Sequence, residues 1–452
     1  MPADRARSLP SSPIARIFAN TAWLLGGKGF GAICGLAYLA ILTHSLGLKN
    51  FGHFSLIVGT AQALIAIAGF QTWRVVVRYG SEHVHAEAWD KFGRLGLLCG
   101  IADALGAVFG CIIAGVVIYG FGDALDINPD YIDTAFYFNC AMVWALVSAP
   151  TGIVRALHRF DMAVYVEAVV PVGRLIAAVA VVQLGPTVGR FLFAWAVIDI
   201  FEACCYWMLA RRLCPQAIQL ANLGRWREAF RENPGIERFL LVTYASATLE
   251  AVMRHGPLLA VGALIGTRSA GLYRLASQLT QAMSKLSTLL TRAVYAEIAL
   301  TRVASAAAEF RKLAYQTSLI AALAGALVVG VAMLVGDELL ELIGGEDFER
   351  GAVILVPLAI AASFDLASVA FEPVLHSTGR ARYALIARVI AVVSVGIAIV
   401  SLYHFGAEGV AWAVAISGAV AYVAMGAFAL RTLMKGSSLD IAVPERKADE
   451  AL

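Results

Sequence analysis

The sequence predicts an all-α polytopic membrane protein: twelve transmembrane helices in two parallel six-helix repeats, with both termini cytoplasmic. Three observations predict it: an extreme apolar composition, a one-sided distribution of loop cations, and an internal repeat at half the chain length. Of the 452 residues, 60% are hydrophobic and only 15% are charged, and mean hydropathy is +0.76. Soluble domains average about 25% charged residues. This chain is too apolar to cover a water-facing surface, which excludes soluble, disordered and nucleic-acid-binding proteins. A net charge of +3 offers polyanions no strong attraction.

A crossing helix needs about 20 mostly apolar residues. Residues 1–16 form a cytoplasmic tail. The run that follows is too long for a signal-peptide core and lacks a cleavage site, so it reads as the first span. Segments that qualify are 17–46, 52–78, 94–121, 134–157, 163–185 and 188–210 in a first lobe over 17–210. The second lobe, 239–433, supplies 239–266, 270–298, 313–336, 351–376, 383–405 and 407–433. Between the lobes, 211–238 is rich in Arg and holds Trp226 and Phe230, the composition of a segment lying along the cytoplasmic interface. Residues 434–452 form a second cytoplasmic tail.

Cytoplasmic loops collect Lys and Arg. With these spans, 26 of the 35 Lys and Arg fall on the side of the termini and 5 on the other. Losing one span would mix the two sets. The outer loops 123–133 and 337–349 are acidic. Gly47-x4-Gly52-x-Phe54 reappears as Gly266-x4-Gly271-x-Tyr273. Leu157-His158 with Tyr165 reappears as Leu375-His376 with Tyr383, and Ala194-Trp195-Ala196-Val197 as Ala411-Trp412-Ala413-Val414. An even number of spans per half makes the repeats parallel.

A polar N-terminal tail, a glycine-punctuated first helix and the turn from Leu46-Gly47 through Phe51-Gly52 resemble the polysaccharide-transporter (O-antigen, lipopolysaccharide flippase) branch of the multidrug/oligosaccharidyl-lipid/polysaccharide exporter superfamily. The resemblance covers about 14–433. It implies two six-helix lobes around a central cavity and alternating access. It also implies an inner-membrane flippase that moves an undecaprenyl-diphosphate-linked oligosaccharide between leaflets for surface polysaccharide synthesis. Membrane lipid, a coupling H+ or Na+, a polysaccharide polymerase and glycosyltransferases are the partners it suggests; nucleic acid, cofactor and metal are not expected. Fourteen-span members include lipid II flippases, and this chain has no room for two more spans.

Ionisable groups within spans cost about 2.5–3.5 kcal/mol each on insertion scales, so they are functional candidates. Lys28, Arg174, Arg254 and Lys285 are the cations; Asp103, Asp199, Glu202, Glu250, Asp365 and Glu372 are the candidates for ion coupling. The eighth span carries Arg274, Gln278, Gln281, Lys285, Thr288 and Arg292 at alternating intervals of four and three, one helix face. At 1.5 Å per residue this stripe runs roughly 27 Å, nearly the hydrocarbon thickness. It must face a wet cavity or polar partners, which makes Gln278 and Gln281 substrate-binding candidates beside the four cations; the alternative is snorkelling at both ends with polar packing between. Gly27, Gly31 and Gly35 read as a close-packing ridge. Glu250 and Arg254, four apart, have the spacing to neutralise each other; Glu167 and Arg174 also share a face. Asp199 and Glu202, three apart, suit proton coupling or a salt bridge to another span. Asp365, Ser368, Glu372 and His376 follow helical spacing, with Pro373 marking a bend.

Arg74 and Arg78 read as cytoplasmic anchors closing the second span. The 7 Cys have no CxxC and read as buried, inert thiols. His83-x-His85 sits in a cytoplasmic linker and reads as non-metal. GGKGFG is no phosphate loop, since Lys28 is followed by Gly29 and no strand precedes it. HExxH, GxSxG and Walker A patterns are missing from the sequence, which argues against an enzyme. Rival readings are a cation-coupled multidrug exporter of the same superfamily, expected to carry acids where this chain has Lys28; a membrane-embedded polymerase or glycosyltransferase, expected to carry a large loop with clustered catalytic residues; and a structural membrane scaffold, disfavoured by the intramembrane charges.

Overall fold

The computed structural model describes residues 13–219, 222, 225–300, 307–368, 371, 375 and 381–435, and of 13–28, 286–300, 307–318, 381 and 432–435 the backbone only. Among the described residues all regular structure is helical. The first lobe contains α1 (Pro13–Ala68), α2 (Thr72–His85), α3 (Trp89–Phe121), α4 (Ile132–Trp144), α5 (Ser148–Ala156), α6 (Phe160–Glu167), α7 (Val169–Leu184) and α8 (Val188–Leu213). The linker carries a 3-10 turn, Pro215–Ile218, and α9 (Trp226–Glu232). The second lobe contains α10 (Ile236–Leu264), α11 (Thr267–Leu300), α12 (Ala307–Gly344), α13 (Ala352–Ala367), α14 (Ala381–Leu402) and α15 (Gly406–Lys435).

Eight stretches of the described residues are long and apolar enough to cross a membrane. Two of them, Gly29–Ala68 with 40 residues and Arg382–Arg431 with 50, are each twice a crossing. Each is broken midway. Gly47 takes φ 69 inside α1, a left-handed value that glycine adopts without steric cost. The turn Tyr403–Phe405 followed by Gly406 at φ 74 separates α14 from α15. α10 and α11 are the remaining helices of the expected twelve; their polar residues keep them outside the apolar set.

Several boundaries differ from the sequence expectation. The second span stops at Ala68, and α2 starts afresh after Gln71, which has φ 53. Arg74 and Arg78 therefore do not close that span. Arg78 lies over the Phe239 ring at 4.5 Å and Arg155 over Trp73 at 4.9 Å. The fifth span is divided at Ala168. The tenth does not run helically through Ser368: α13 ends at Ala367, and the Ser368 hydroxyl satisfies the freed carbonyl of Asp365 at 2.9 Å. Glu372 and His376 lie outside the described residues.

Packing is inside-out in the way a bilayer demands. Leu334, Leu342, Phe193 and Val400 are exposed, where lipid tails replace water. The main apolar core joins both lobes around Trp195, Phe51, Phe54, Phe191 and Phe348. Trp195 is buried with Tyr38 and Phe54 at its edges, 5.5 and 5.8 Å between ring centroids. Its repeat counterpart Trp412 is exposed and reaches Glu408 at 3.4 Å. The linker docks on the first lobe. Gln216 sets its carbonyl oxygen against Gly93, Glu232 pairs with Arg94, and His83 Nε2 meets Asn233 Oδ1 at 2.8 Å. The expectation of buried thiols fails at Cys204, which is exposed on α8; Cys34, Cys99 and Cys214 are buried.

Candidate functional site

A cavity of about 720 Å³ opens between the lobes, walled by α1, α7, α10 and α11. α11 contributes one face of its helix: Arg274, Gln278, Gln281 and Lys285 all line the cavity, with Tyr273 and Ser277 between them. The spacing that marked a stripe in the sequence therefore produces a polar cavity wall. Thr288 and Arg292 continue the spacing, but their side chains lie outside the described residues. Arg174 enters from α7 and Arg254 with His255 from α10. Lys28's side chain is also outside the described residues, although Gly29 and Gly31 beside it line the space.

Gly31 and Gly35 are not a tight packing ridge. A methyl group at Gly31 would meet only Pro171 at 3.5 Å, and at Gly35 only Tyr38 at 3.9 Å. Both line the cavity instead, where the absence of a side chain leaves room.

Four cations line the cavity, and no Asp or Glu is among its described lining residues. The four are not equivalent. Arg174 donates to both Asp199 oxygens at 2.7 and 3.1 Å and lies 5.6 Å over the Trp195 ring. Arg254 pairs with Glu250 at 3.3 Å, and Glu250 also meets Arg388 at 3.4 Å. Arg274 is held by amides: Gln62 Oε1 accepts from it at 3.3 Å, and the Gln278 amide oxygen accepts at 2.9 and 3.1 Å in the orientation that satisfies both groups. Among the described residues, neither Arg274 nor Lys285 has a carboxylate in ion-pair range. Gln281 donates to Ser277 at 3.2 Å. A guanidinium fixed by neutral acceptors keeps its whole charge for an incoming anion, and its fork matches phosphate oxygens.

The acids are distributed differently from the cations. Asp199 and Glu250 serve as counter-ions at the cavity edge. Glu202 sits one turn from Asp199 and feels Asp199, Arg174 and Glu167. Glu167 does not pair with Arg174; it takes Arg155 and the Tyr206 hydroxyl, each at 3.3 Å. Asp365 lies within electrostatic reach of Arg254 and Glu250. Asp103 is away from the cavity: it accepts from Thr72 Oγ1 and from the Ala149 amide, both at 2.7 Å, and so ties α3 to α2 and α5. The cavity also uses Tyr38, Gln62, His255 and Tyr273. These are single polar or aromatic groups in apolar runs with no periodic signal to single them out.

The family model described as polysaccharide biosynthesis protein matches residues 17–296. Inner membrane protein YghQ of Escherichia coli (strain K12) is 26% identical over 333 residues, covering 73% of this chain and 92% of that protein. An inward-facing multidrug-resistance MATE transporter superposes with a TM-score of 0.70 at 16% identity, covering 90% of this chain and 96% of that one. The lipid II flippase MurJ in an inward closed conformation gives 0.67 at 12% identity, covering 91% and 89%. At these identities the structural likeness speaks to fold alone.

Proposed function

This chain belongs to the polysaccharide biosynthesis protein family of multi-pass inner-membrane transporters, and from that premise we propose that it flips an undecaprenyl-diphosphate-linked oligosaccharide to the outer leaflet. It is a transporter and not an enzyme. The observation that carries the finer reading is the sign of the cavity: four cations and no acid among the described lining residues, with Arg274 fixed by Gln62 and Gln278. A diphosphate leaving water needs compensating positive charge. A cationic drug would need the opposite.

In this proposal the chain crosses twelve times with both termini cytoplasmic. The lipid tail stays in the bilayer while the head group passes along α11. Arg274 and Lys285 lie eleven residues apart on one helix, roughly 16 Å at 1.5 Å per residue, and take the diphosphate in turn. Arg174 and Arg254 join when their carboxylates let go, and Lys28 extends the cationic wall. Asp199, Glu202, Glu250 and Asp365, placed against those cations, are the groups through which H+ or Na+ would couple; Asp103 and Glu372 are further coupling candidates. Glycosyltransferases would supply the substrate and a polysaccharide polymerase would consume it.

The test is complementation in a strain with a single flippase, reading surface glycan, lipid-linked intermediate and membrane abundance together. Lys285→Ala and Arg274→Ala are expected to keep normal abundance and lose at least about tenfold of export, with Lys285→Arg retaining part because charge survives. Full export by both stable alanine variants sinks the reading. Unchanged glycan with new sensitivity to cationic dyes would instead support the multidrug exporter.

A further inference from the structure

Above the cavity, on the side that the loop charges place outside, the two lobes meet through the two copies of one repeated motif. Gly47–Gly52 and Gly266–Gly271 come together backbone to backbone. A methyl group at Gly52 would collide with the Thr267 carbonyl oxygen. One at Gly271 would lie 3.0 Å from the Leu48 carbonyl oxygen and 3.3 Å from the Gly52 Cα. The cavity wall begins two residues further on, at Tyr273. Phe51 against Phe348, 5.7 Å between ring centroids, adds an apolar contact across the lobes at the same level.

Two polar links cross this seam: the Thr43 hydroxyl on α1 donates to the Ile343 carbonyl on α12 at 2.5 Å, and the other comes from the loop between α3 and α4. Asp126, in the left-handed region at φ 53, aims its carboxylate at the start of α11. Asp126 Oδ2 accepts from the Thr267 amide at 2.8 Å. The Thr267 hydroxyl lies 2.7 Å from the same oxygen and 2.6 Å from the Asp126 carbonyl. Thr267 is buried, so both of its donors are committed to the other lobe. Lys49 and His53 on α1 are the other charged or titratable groups close to Asp126. His53 is buried with neither ring nitrogen hydrogen-bonded.

We propose that Asp126 is the lock of an outer gate. Its carboxylate holds the first turn of α11 on the first lobe, keeping the glycine motifs in contact and the cavity sealed from outside. Release of the two Thr267 bonds lets the motifs part and exposes the cavity outward. The proposal rests on the two-lobe transporter reading but not on the identity of the substrate.

The test needs no substrate. Ser277→Cys places a thiol in the cavity wall, and its labelling by a membrane-impermeant maleimide is followed from outside in cells with a permeabilised outer membrane, above the background of the native cysteines. Asp126→Ala and Thr267→Val are each expected to raise the labelling rate about tenfold, because a closed-to-open equilibrium moves by the interaction removed. Thr267→Ser keeps both donors and should label like the parent. Gly52→Ala opens the same seam without touching the carboxylate, and serves if an Asp126 variant fails to reach the membrane. Unchanged labelling in Thr267→Val and Gly52→Ala at normal abundance overturns the lock. Raised labelling in these variants together with full export by stable Lys285→Ala and Arg274→Ala proteins would instead count against the flippase reading of the cavity and leave the gate standing.

Discussion

Arg174 and Arg274 share one cavity and differ in what surrounds them. Arg174 has Asp199 at 2.7 Å, with side-chain exposures of 17% and 9%; Arg274 has two amides. Removing one member of a buried pair leaves an uncompensated charge, which costs about 3 kcal/mol or more. Asp199→Ala is therefore expected to lower membrane abundance and melting temperature. Gln62→Ala should leave abundance near normal and impair export through a loosened Arg274. Equal abundance in the two variants would contradict this division of roles. Asp126 makes a different forecast. The Thr267 amide and hydroxyl, followed by His53 and Lys49, hold its carboxyl below the usual carboxylate range. A depressed carboxylate stabilises the fold above its unfolded pKa of about 3.9, and that contribution is lost as pH falls through the lower folded value. The melting temperature in detergent should then show no Asp126 contribution to its pH dependence between about pH 5 and 8. Below about pH 4 the wild type should fall more steeply than Asp126→Asn, and parallel curves would remove Asp126 from the lock.

At the scale of elements, the linker behaves as part of the first lobe. Arg94 is buried at the start of α3 and is claimed by Glu232, with Glu228 at 3.7 Å on the far side. Its charge makes the docking selective, since an undocked linker would leave Arg94 without either acid. Glu232→Gln is expected to free the linker, and limited proteolysis should cut within 211–238 several times faster while the spans stay protected. Identical protection would show that Gly93 and the His83–Asn233 bond suffice. The sequence marked this segment as interfacial from its Arg and aromatic content. It held no sign of which helix would receive it, because a glycine that admits a carbonyl and a buried Arg that needs an acid look ordinary in one dimension. Helix breaks were hidden for a related reason. Ala68 and Ala367 end helices within apolar runs, and hydropathy does not register where a helix stops.

At the scale of the molecule, the main apolar core joins the two lobes and a cationic cavity opens between them, as expected of a protein that must present its polar groups inward. Twelve crossings with cytoplasmic termini predict that reporter fusions at Asp130 and Gly345 register as outside, and those at Arg225 and Lys435 as cytoplasmic. A cytoplasmic signal from Gly345 would break that topology. The gate fits the same frame. The repeated glycine motifs lie at the turn from first to second crossing in each half, so a parallel duplication brings them to the same side, where they close on each other.

The sequence alone determined the solvent, the helical class and the polar face of α11, because composition and periodicity are averages that tertiary contacts cannot reverse. A cationic stripe of that length has no stable place against lipid tails wherever its helix packs. Partner choice was decided only by the tertiary structure. Arg174 finds Asp199 rather than Glu167, Arg274 finds amides rather than acids, and Asp126 crosses to Thr267, 141 residues away. Charge pairing depends on a few ångströms between separate helices, and that distance is set by how whole helices pack, which no local spacing records.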